Sequence, residues 1–355
     1  MTYGAQAFAV STLKSMPTYR AWQVTGERNF ELVEREIVAP DHDRVRVRVH
    51  ACGVCHSDVL AVEGQRPEPA QPVVPGHEIV GVIDAVGDGV RGWAPGDRVG
   101  LGFLGGQCNS CEFCRRGDFV NCTDQPTPGT SEDGGYAEIV YARATGLVRV
   151  PDGLPADTAA PLLCAGVTTF NALRGISAAP GALVGIQGLG GLGHLGVQYA
   201  HQLGYRVAAI ARGPEKAELA KALGADIYID SAAEDPGAAL TALGGAAAIV
   251  ATAASGSSMS PLVAGLRPRG QLVVVGAAPD PIAVNTAELI FGGRSVTGSL
   301  TGSAIENEDN LTFSLANGIT PMLEMVPFEQ APQAYERMMS GQARFRVVLE
   351  IGTSS

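Results

Sequence analysis

The order of hydrophobic and polar positions changes once along the chain, close to Asp157. Before this point, the strictly alternating stretch RVRVRV (44–49) predicts a half-buried strand with one basic face. Short apolar runs broken by glycine and proline continue as far as Val150, a pattern typical of a β-rich region. After Asp157, continuous apolar runs alternate with alanine-rich segments, which predicts a parallel sheet covered by helices.

The second region predicts a regular series of strands and helices. Strands are expected at residues 182–187 and 206–211, with a helix at 192–203 between them. The series ends near residues 299–305, and the tail from Phe328 contains one helix and one strand that need a partner. We therefore expect a split β-rich domain at residues 19–172 and 306–355. An α/β domain at residues 173–305 is inserted into it, and residues 1–18 form an N-terminal extension.

Composition and charge narrow the class of protein. The 355 residues carry a formal net charge of −11, which disfavours nucleic acid and anionic membranes as partners. No apolar run approaches the roughly 20 residues that span a bilayer, and the first residues lack the pattern of a secretion signal. Seven cysteines in such a chain favour metal binding over disulfides and predict a cytoplasmic protein.

A glycine-rich motif directly after the first strand of the series predicts a nucleotide site. Gly188 allows a tight turn, Gly190 lets the backbone approach a pyrophosphate, and Gly193 lets the next helix pack on the strand. Gly191 and Leu192 complete the motif G-x-G-G-x-G, and the following helix directs its N-terminus at the phosphates. The alternative is a glycine-rich turn without a ligand, which the strand–turn–helix context disfavours.

The end of the second strand indicates which dinucleotide binds. NAD enzymes usually place a carboxylate there for the ribose 2′-hydroxyl, whereas an arginine suits a 2′-phosphate. This chain has Ala211 and Arg212 at that point, and Lys216 follows on the next helix. NADP(H) is therefore expected in preference to NAD(H). The alternatives are that Arg212 is exposed and both cofactors bind, and that Lys216 is only a solvated helix residue.

Two sets of candidate metal ligands include six of the seven cysteines. The first set has the spacing C-x2-C-x2-C-x7-C, which matches a closed tetrahedral zinc site, and consists of Cys108, Cys111, Cys114 and Cys122. The second comprises Cys55, His77 and Cys164, which lie far apart in sequence and would leave a fourth zinc position open. From spacing alone, a buried thiol without metal is an open alternative for Cys164. Cys52 is taken as a thiol of the core or beside the ligands.

Five motifs in combination resemble one enzyme family. GVCHSD, PGHE, the four-cysteine lobe, PLLCAGVTTFNAL and GLGGLGHLGVQYA occur in this order in the chain from about Arg20 onwards. Together they are similar to the zinc-dependent alcohol dehydrogenases of the medium-chain dehydrogenase/reductase superfamily, especially the yeast and bacterial enzymes and the cinnamyl-alcohol branch. The resemblance implies an α/β fold with a GroES-like catalytic domain and a doubly wound Rossmann domain. It also implies two zinc ions per chain, small-molecule alcohols and aldehydes or ketones as substrates, and a homotetramer.

The same resemblance implies a role for each matching residue. The three separated ligands would bind a catalytic zinc, and the four-cysteine set a structural zinc. Ser57 would bond the substrate oxygen, and Asp58 would orient the zinc-binding histidine. Glu78 would approach the metal when water exchanges. His56 and Arg346 would lie near the cofactor pyrophosphate.

The departures from the family pattern concern the substrate pocket. Leu60 replaces a histidine that many relatives use as the outer end of a proton relay. The proton must then leave through the cofactor ribose and water, or through Glu63, or less efficiently. Arg66 and Phe103 stand where ethanol enzymes carry tryptophans, which predicts a wider pocket for aromatic or medium-length aldehydes. Cys164 argues against the polyol dehydrogenase branch, which usually has glutamate at this position.

Two other functions remain as alternatives on the same fold. One is a zinc-free enone or quinone reductase, but such relatives lack the zinc-binding cysteines that this chain keeps. The other is a nucleotide-binding protein without catalysis, because a fold does not by itself imply an activity. The presence of all three catalytic ligands and of Ser57 favours the dehydrogenase.

Overall fold

The computed structural model describes residues 17–65 and 72–352 of the chain. The alternation at residues 44–49 forms the first part of the longest strand, as predicted. Its valines point into the core, while Arg46 and Arg48 on the other face both pair with Asp84. The strands are β1 Thr18–Val24, β2 Phe30–Glu36, β3 Arg44–Val54, β4 Glu78–Val86, β5 Arg98–Leu101, β6 Ile139–Arg143, β7 Leu147–Arg149, β8 Leu183–Gln187, β9 Arg206–Ala211, β10 Ile227–Asp230, β11 Ala246–Ala251, β12 Leu266–Val274, β13 Ser295–Gly298, β14 Leu323–Pro327 and β15 Arg346–Glu350.

Most of the helices lie in the second region of the chain. They are α1 Val59–Val62, α2 Glu112–Arg115, α3 Ala156–Pro161, α4 Val167–Arg174, α5 Gly193–Gln202, α6 Ala217–Ala222, α7 Pro236–Ala242, α8 Gly256–Met259, α9 Thr286–Gly292, α10 Ala304–Asn317 and α11 Ala331–Met339. Between α3 and α4, residues 162–166 form a π-helical turn, in which the amide of Val167 donates to the carbonyl of Leu162. Among the described residues, no helix has both the length and the apolar character needed to cross a bilayer.

Seven strands form the sheet of the β-rich region. Six of them follow the order β14-β15-β3-β4-β5-β7, and β6 pairs with β3. The C-terminal strand β15 runs antiparallel to the end of β3, with Val347 opposite Val54 and Leu349 opposite Cys52. The tail of the chain thus completes a sheet that its first half began, which is the partner that the sequence pattern required.

The α/β region is a six-stranded parallel sheet with the order β10-β9-β8-β11-β12-β13. This order places a crevice at the carboxyl ends of β8 and β11, where the chain reverses the direction in which it adds strands. Such a crevice is the usual ligand site of doubly wound sheets. The doubly wound sheet therefore confirms the predicted fold class.

The segment from α3 to α4 packs between the two sheets. Its Leu163 shares one buried core with Val80 of the first sheet and Ile186 of the second. A residue in this segment can therefore face the first sheet while its neighbours contact the nucleotide region. The domain boundaries at residues 173 and 306 stay a prediction; both positions fall within helices, α4 and α10. Residues 1–16 of the expected N-terminal extension lie outside the described part of the chain.

Candidate metal centres and nucleotide cleft

Three separate elements bring one cluster of metal-ligating side chains together. Cys55 follows β3, His77 directly precedes β4, and Cys164 lies in the π-helical turn between α3 and α4. Together with Glu78, their ligand atoms all lie within 4.8 Å of one another, and all four residues are buried. The structure thus gathers the three predicted catalytic ligands and the acidic neighbour at one point.

The geometry of this cluster fits a tetrahedral metal ion. The Sγ atoms of Cys55 and Cys164 are 3.9 Å apart, far beyond the length of a disulfide bond. Two sulfurs that each lie at a zinc–thiolate bond length from a tetrahedral centre are about 3.8 Å apart. The buried Nε2 atom of His77 has no hydrogen-bond partner among the described residues. A metal ligand is the simplest role for a nitrogen that is left without a partner at such a point.

Asp58 holds two of these ligands in place. Its Oδ1 atom lies 3.0 Å from Nδ1 of His77. Its Oδ2 atom accepts hydrogen bonds from the backbone amide of Cys55 at 3.0 Å and from the hydroxyl of Tyr136 at 2.9 Å. With Nδ1 directed at a carboxylate, Nε2 is left free as the ligand atom. Sequence reasoning missed Tyr136, because a single tyrosine in a glycine-rich loop has no spacing that points to a site.

Tyr136 also fixes the backbone that leads to His77. The amide of Tyr136 donates to the carbonyl of Pro75 at 2.9 Å, and that of Gly135 donates to Gly76 at 3.0 Å. Gly76 has φ +100°, and a Cβ there would lie 2.5 Å from the Tyr136 ring. Glycine is therefore required at this position, both for its conformation and for the space that the tyrosine occupies.

Burial and charge shift the pKa values of the cluster strongly. The thiol of Cys164 lowers the pKa of Cys55 well below its ordinary value, because the hydrogen bond stabilises the thiolate. Burial lowers the pKa of His77, but the negative charges of Cys55 and Asp58 outweigh it and leave this pKa raised. Burial raises the pKa of Glu78 to about 8, despite the opposing charge of Arg346. A bound cation would stabilise the thiolate and carboxylate forms of these buried groups.

Arg346 connects the ligand cluster with the nucleotide loop. It begins β15, is only 4% exposed, and forms an ion pair with Glu78. A Cβ atom on Gly191 would lie 2.9 Å from its Nη1 atom, so the guanidinium rests directly against the glycine-rich loop. His56 is exposed on the turn that follows Cys55. Neither His56 nor Arg346 is among the described residues that line the nucleotide cleft.

A cleft of about 560 Å³ opens at the carboxyl ends of β8, β9 and β11. At the tight turn after β8, Gly188 has φ +92°. A Cβ on Gly193 would lie 1.7 Å from the carbonyl oxygen of Gly188, so α5 can approach the strand only with glycine there. The predicted cofactor residues that line the cleft are Gly188, Gly190, Gly191, Leu192, Arg212 and Lys216. Arg212 is exposed and Lys216 is half-buried within this lining.

The four-cysteine lobe forms a second cluster, on a surface loop and α2. The ligand atoms of Cys108, Cys111, Cys114 and Cys122 all lie within 4.8 Å of one another. Backbone amides donate to the sulfurs, among them Cys111 N to Cys108 Sγ at 3.4 Å and Cys114 N to Cys111 Sγ at 3.5 Å. Four sulfurs with this proximity fit a closed tetrahedral site.

Comparisons with known proteins identify the family to which this chain belongs. Residues 41–152 match the alcohol dehydrogenase GroES-like domain, and residues 191–316 match the zinc-binding dehydrogenase family. The alcohol dehydrogenase patD of Penicillium expansum is 43% identical over 318 residues, which cover 90% of this chain and 93% of that protein. The chain belongs to the zinc-dependent alcohol dehydrogenases. It interconverts alcohols and carbonyl compounds with a nicotinamide cofactor.

Solved structures show the same fold for this dehydrogenase. A cinnamyl alcohol dehydrogenase from Sorghum bicolor superposes with a TM-score of 0.86 at 33% identity, covering 96% of this chain and 99% of that one. A Helicobacter pylori cinnamyl alcohol dehydrogenase complexed with NADP(H) superposes with a TM-score of 0.83 at 27% identity, covering 95% and 99%. The family, the GroES-like and Rossmann fold class, and the reaction class expected from the sequence motifs are therefore confirmed.

The residues that depart from the family pattern take different positions in the dehydrogenase. The rings of Phe103 and His77 form a T-shaped pair with 5.2 Å between their centroids, so Phe103 lies at the ligand cluster. Leu60 lies on α1, in the turn after Ser57. Glu63 accepts a hydrogen bond from Tyr335 at 3.0 Å and pairs with Arg28 at 2.8 Å. Arg66 lies outside the described residues.

Proposed function

We propose that the Cys55–His77–Cys164 cluster holds the catalytic zinc of this dehydrogenase, with the open position directed at the substrate. The proposal is carried by Nε2 of His77, which has no hydrogen-bond partner among the described residues and lies beside two sulfurs that are 3.9 Å from each other. Zinc analysis together with nicotinamide absorbance in the presence of a panel of aldehydes tests it. A fully zinc-loaded protein that turns over no member of the panel contradicts it.

The chain's own residues each supply one part of the chemistry. A zinc ion bound here polarises the substrate oxygen as a Lewis acid. Asp58 keeps the imidazole of His77 in one tautomer and orientation. Ser57, half-buried on the turn after Cys55, gives or takes the proton at the substrate oxygen. The glycine-rich loop would hold the pyrophosphate of a nicotinamide cofactor, which would supply or accept the hydride. Arg346 places a positive charge between that loop and Glu78.

The four-cysteine lobe is proposed to hold a second, structural zinc ion without a part in the chemistry. Two observations support this proposal: the four sulfurs form a closed set, and hydrogen bonds from nearby backbone amides stabilise them as thiolates. Two zinc ions per chain are therefore expected. A fully active protein with one or no zinc ion per chain contradicts this part of the proposal.

NADP(H) is the proposed cofactor in preference to NAD(H). Ala211 at the end of β9 is buried and neutral, so its own side chain does not repel a 2′-phosphate. The carboxylate of Asp230 lies beside it on β10 and accepts a hydrogen bond from the amide of Gly213 at 2.8 Å. Arg212 and Lys216 both line the cleft beside it. Each charge-assisted contact to the 2′-phosphate contributes about 10–100-fold in affinity.

Paired kinetics with NADPH and NADH on one good aldehyde test the cofactor preference. Ala211→Asp is expected to reverse the ratio of kcat/KM, because the new carboxylate accepts the ribose hydroxyls and repels the phosphate. Arg212→Ala is expected to weaken NADPH alone. Arg206→Ala is the matched control, since this exposed cation begins the same strand outside the cleft lining. A clear NADH preference of the unmodified enzyme contradicts the proposal.

Aromatic or medium-length aldehydes are the proposed substrates. Phe103, beside His77, leaves more room than a tryptophan, and its ring offers an apolar wall for an aromatic group. Glu63 is already bound by Tyr335 and Arg28. We therefore favour the route in which the proton leaves through Ser57, the cofactor ribose and water. A higher kcat/KM for benzaldehyde than for acetaldehyde is expected. The reverse order excludes the wide pocket.

A homo-oligomer is the proposed assembly, a tetramer by the family resemblance. Helix α9 buries none of its residues, and its Ile290 and Phe291 are 73% and 90% exposed next to the edge strand β13. A second copy is a natural cover for this apolar surface. All seven cysteines are described and none forms a disulfide, which supports the proposed location in the reducing cytoplasm. Light scattering of the wild type and Phe291→Asp tests the assembly, and an unchanged mass contradicts a role for this surface.

A further inference from the structure

The turn that carries Cys164 needs support from outside its own helix. Residues 162–166 are all buried and form a π-helical turn. In such a turn the helix is wider, and its backbone carbonyls do not follow the regular α-helical hydrogen-bond pattern. A buried carbonyl without a partner destabilises the fold, so the carbonyls of this turn must be satisfied by other groups. Their partners decide where the turn holds its cysteine.

Side chains supply these partners, and two come from α10. Nδ2 of Asn310 donates to the carbonyl of Leu162 at 3.0 Å, two residues before Cys164. Nδ2 of Asn307 reaches the carbonyl of Leu163 at 3.4 Å. On the other side, the hydroxyl of Thr169 lies 2.9 Å from the carbonyl of Ala165 and 3.0 Å from that of Gly166. The turn is thus held on both sides of the cysteine by hydrogen bonds from side chains.

A tyrosine of the nucleotide helix fixes the direction of the Asn310 amide. The hydroxyl of Tyr199, on α5, donates to Oδ1 of Asn310 at 2.5 Å. The same hydroxyl lies 2.8 Å from Oγ of Ser314, which must then be the donor, because a phenol has only one proton. With Oδ1 directed at Tyr199, Nδ2 faces Leu162. Asn307 is less constrained, since its Oδ1 atom has no partner among the described residues.

Tyr199 and the turn are in direct contact as well. A Cβ atom on Gly166 would lie 3.1 Å from the tyrosine hydroxyl, so only glycine leaves ordinary space for this approach. Tyr199, Asn310 and Ser314 are all fully buried. Because α5 begins at the glycine-rich loop, this set of hydrogen bonds connects the nucleotide helix with the segment of Cys164.

We infer that Asn310, oriented by Tyr199, is a positioning residue that holds Cys164 at the distance and direction required of a metal ligand. The inference rests on the proposed role of Cys164 in the catalytic zinc site. Asn310 is not among the described residues that line the cleft; it acts through the backbone carbonyl of Leu162. Loss of its amide frees the turn to move and thereby weakens one ligand of three.

The first test is the rate at which each zinc ion leaves the holoenzyme for a chelator. Asn310→Ala is expected to accelerate release of the zinc ion of the Cys55–His77–Cys164 cluster about 10-fold, an effect of the size expected when a group that orients a metal ligand is removed. The zinc of the four-cysteine lobe is the internal reference and should leave at an unchanged rate. Tyr199→Phe is expected to act in the same direction with a smaller effect.

The matched control is Asn317→Ala on the same helix. The amide of Asn317 donates to the carbonyl of Phe313 at 2.8 Å, within α10, and does not reach the turn. This variant should release both zinc ions at wild-type rates. Equal release from wild type and folded Asn310→Ala overturns the inference, as does equal acceleration of both ions. If Asn310→Ala does not fold, Tyr199→Phe decides by the same criteria.

The second test separates this inference from the proposed function. After removal of zinc, iodoacetamide labelling followed by mass spectrometry gives the alkylation rate of each cysteine in the folded protein. Cys164 is expected to react several-fold faster in Asn310→Ala than in wild type, whereas Cys52 should not change. If the wild type binds no zinc at Cys164, the proposed function fails while this labelling comparison still decides the positioning role. Equal labelling of Cys164 in both proteins overturns it.

Discussion

The two thiolate clusters of this dehydrogenase are built in opposite ways. The Cys55–His77–Cys164 cluster is buried and joins cysteines 109 residues apart in sequence. The four-cysteine lobe contains its ligands within one loop, and three of its four cysteines are partly exposed. The first cluster relies on side chains from other elements, including Asp58 and Tyr136. The second relies on backbone amides of its own loop.

This difference separates a metal site that organises its own loop from one that the whole fold prepares. A local set of four cysteines closes around a metal without help from distant elements, so the metal contributes directly to folding. A set gathered from three segments requires the two sheets to be packed first, and can then keep one position free for substrate. Each prediction below tests whether stability depends on one cluster and chemistry on the other.

The largest expected effect is the loss of activity in Cys164→Ser. A serine hydroxyl is a poor zinc ligand, so the Lewis acid is lost or misplaced and turnover should fall by about 1,000-fold. The melting temperature should change little, because the fold organises this cluster independently of metal. Activity assays and thermal unfolding are measured on the same sample. Cys52→Ala is the control, a buried thiol outside both ligand sets, and should keep both zinc ions.

The reciprocal change is Cys111→Ser in the four-cysteine lobe. The melting temperature is expected to fall by roughly 5–10 °C, because a structural zinc stabilises the folded state. The kcat of the protein that remains folded should stay close to that of the wild type. A fall in kcat comparable with that of Cys164→Ser, at unchanged melting temperature, breaks the division between the two clusters.

A smaller effect is expected for Tyr136→Phe beside the buried cluster. The substitution removes only the hydroxyl that donates to Asp58, so this carboxylate holds His77 less firmly. Zinc affinity of this cluster should fall about 10-fold, with the four-cysteine zinc unchanged. Tyr141→Phe is the control, since the hydroxyl of Tyr141 bonds the backbone of Val38 near the surface. Equal zinc affinity in both variants means that Tyr136 has no part in orienting His77.

The smallest expected effect concerns the pH at which the four-cysteine lobe loses its zinc. The hydroxyl and amide of Ser110 lower the pKa of Cys108 to about 6, because they stabilise the thiolate. A depressed pKa contributes stability that is complete above the ordinary thiol pKa of about 9 and is lost as the pH falls through 6. Loss of the Cys108 thiolate should therefore contribute to zinc release only as the pH falls through about 6.

Ser110→Ala removes the hydroxyl and leaves the backbone amides in place. The midpoint of zinc loss should move to higher pH by less than about one unit, with catalysis at pH 8 unchanged. Ser131→Ala, whose hydroxyl accepts from the backbone of Thr127 elsewhere on the surface, provides the comparison. A midpoint that does not move assigns the low pKa of Cys108 to the backbone amides alone.

The success of sequence reasoning differs between the two clusters for a physical reason. Four cysteines within one loop are close in space in almost any conformation, so their spacing alone predicted the cluster. Cys164 was open to a second interpretation, and only the family resemblance assigned it. Tyr136 and Asn310 were missed, because each acts on an element that lies far from it in sequence.

The sequence by itself determined the change from a β-rich to an α/β region, the glycine-rich loop and the four-cysteine set. These features depend on neighbours within a few residues, so periodicity, turn residues and spacing express them directly. Only the tertiary structure decided that Cys55 and Cys164 meet at 3.9 Å, that Nε2 of His77 is left without a partner among the described residues, and that Arg346 connects Glu78 to the nucleotide loop. Such contacts arise when separate sheets and helices pack together, and no local pattern specifies which distant side chains will then lie within hydrogen-bonding distance.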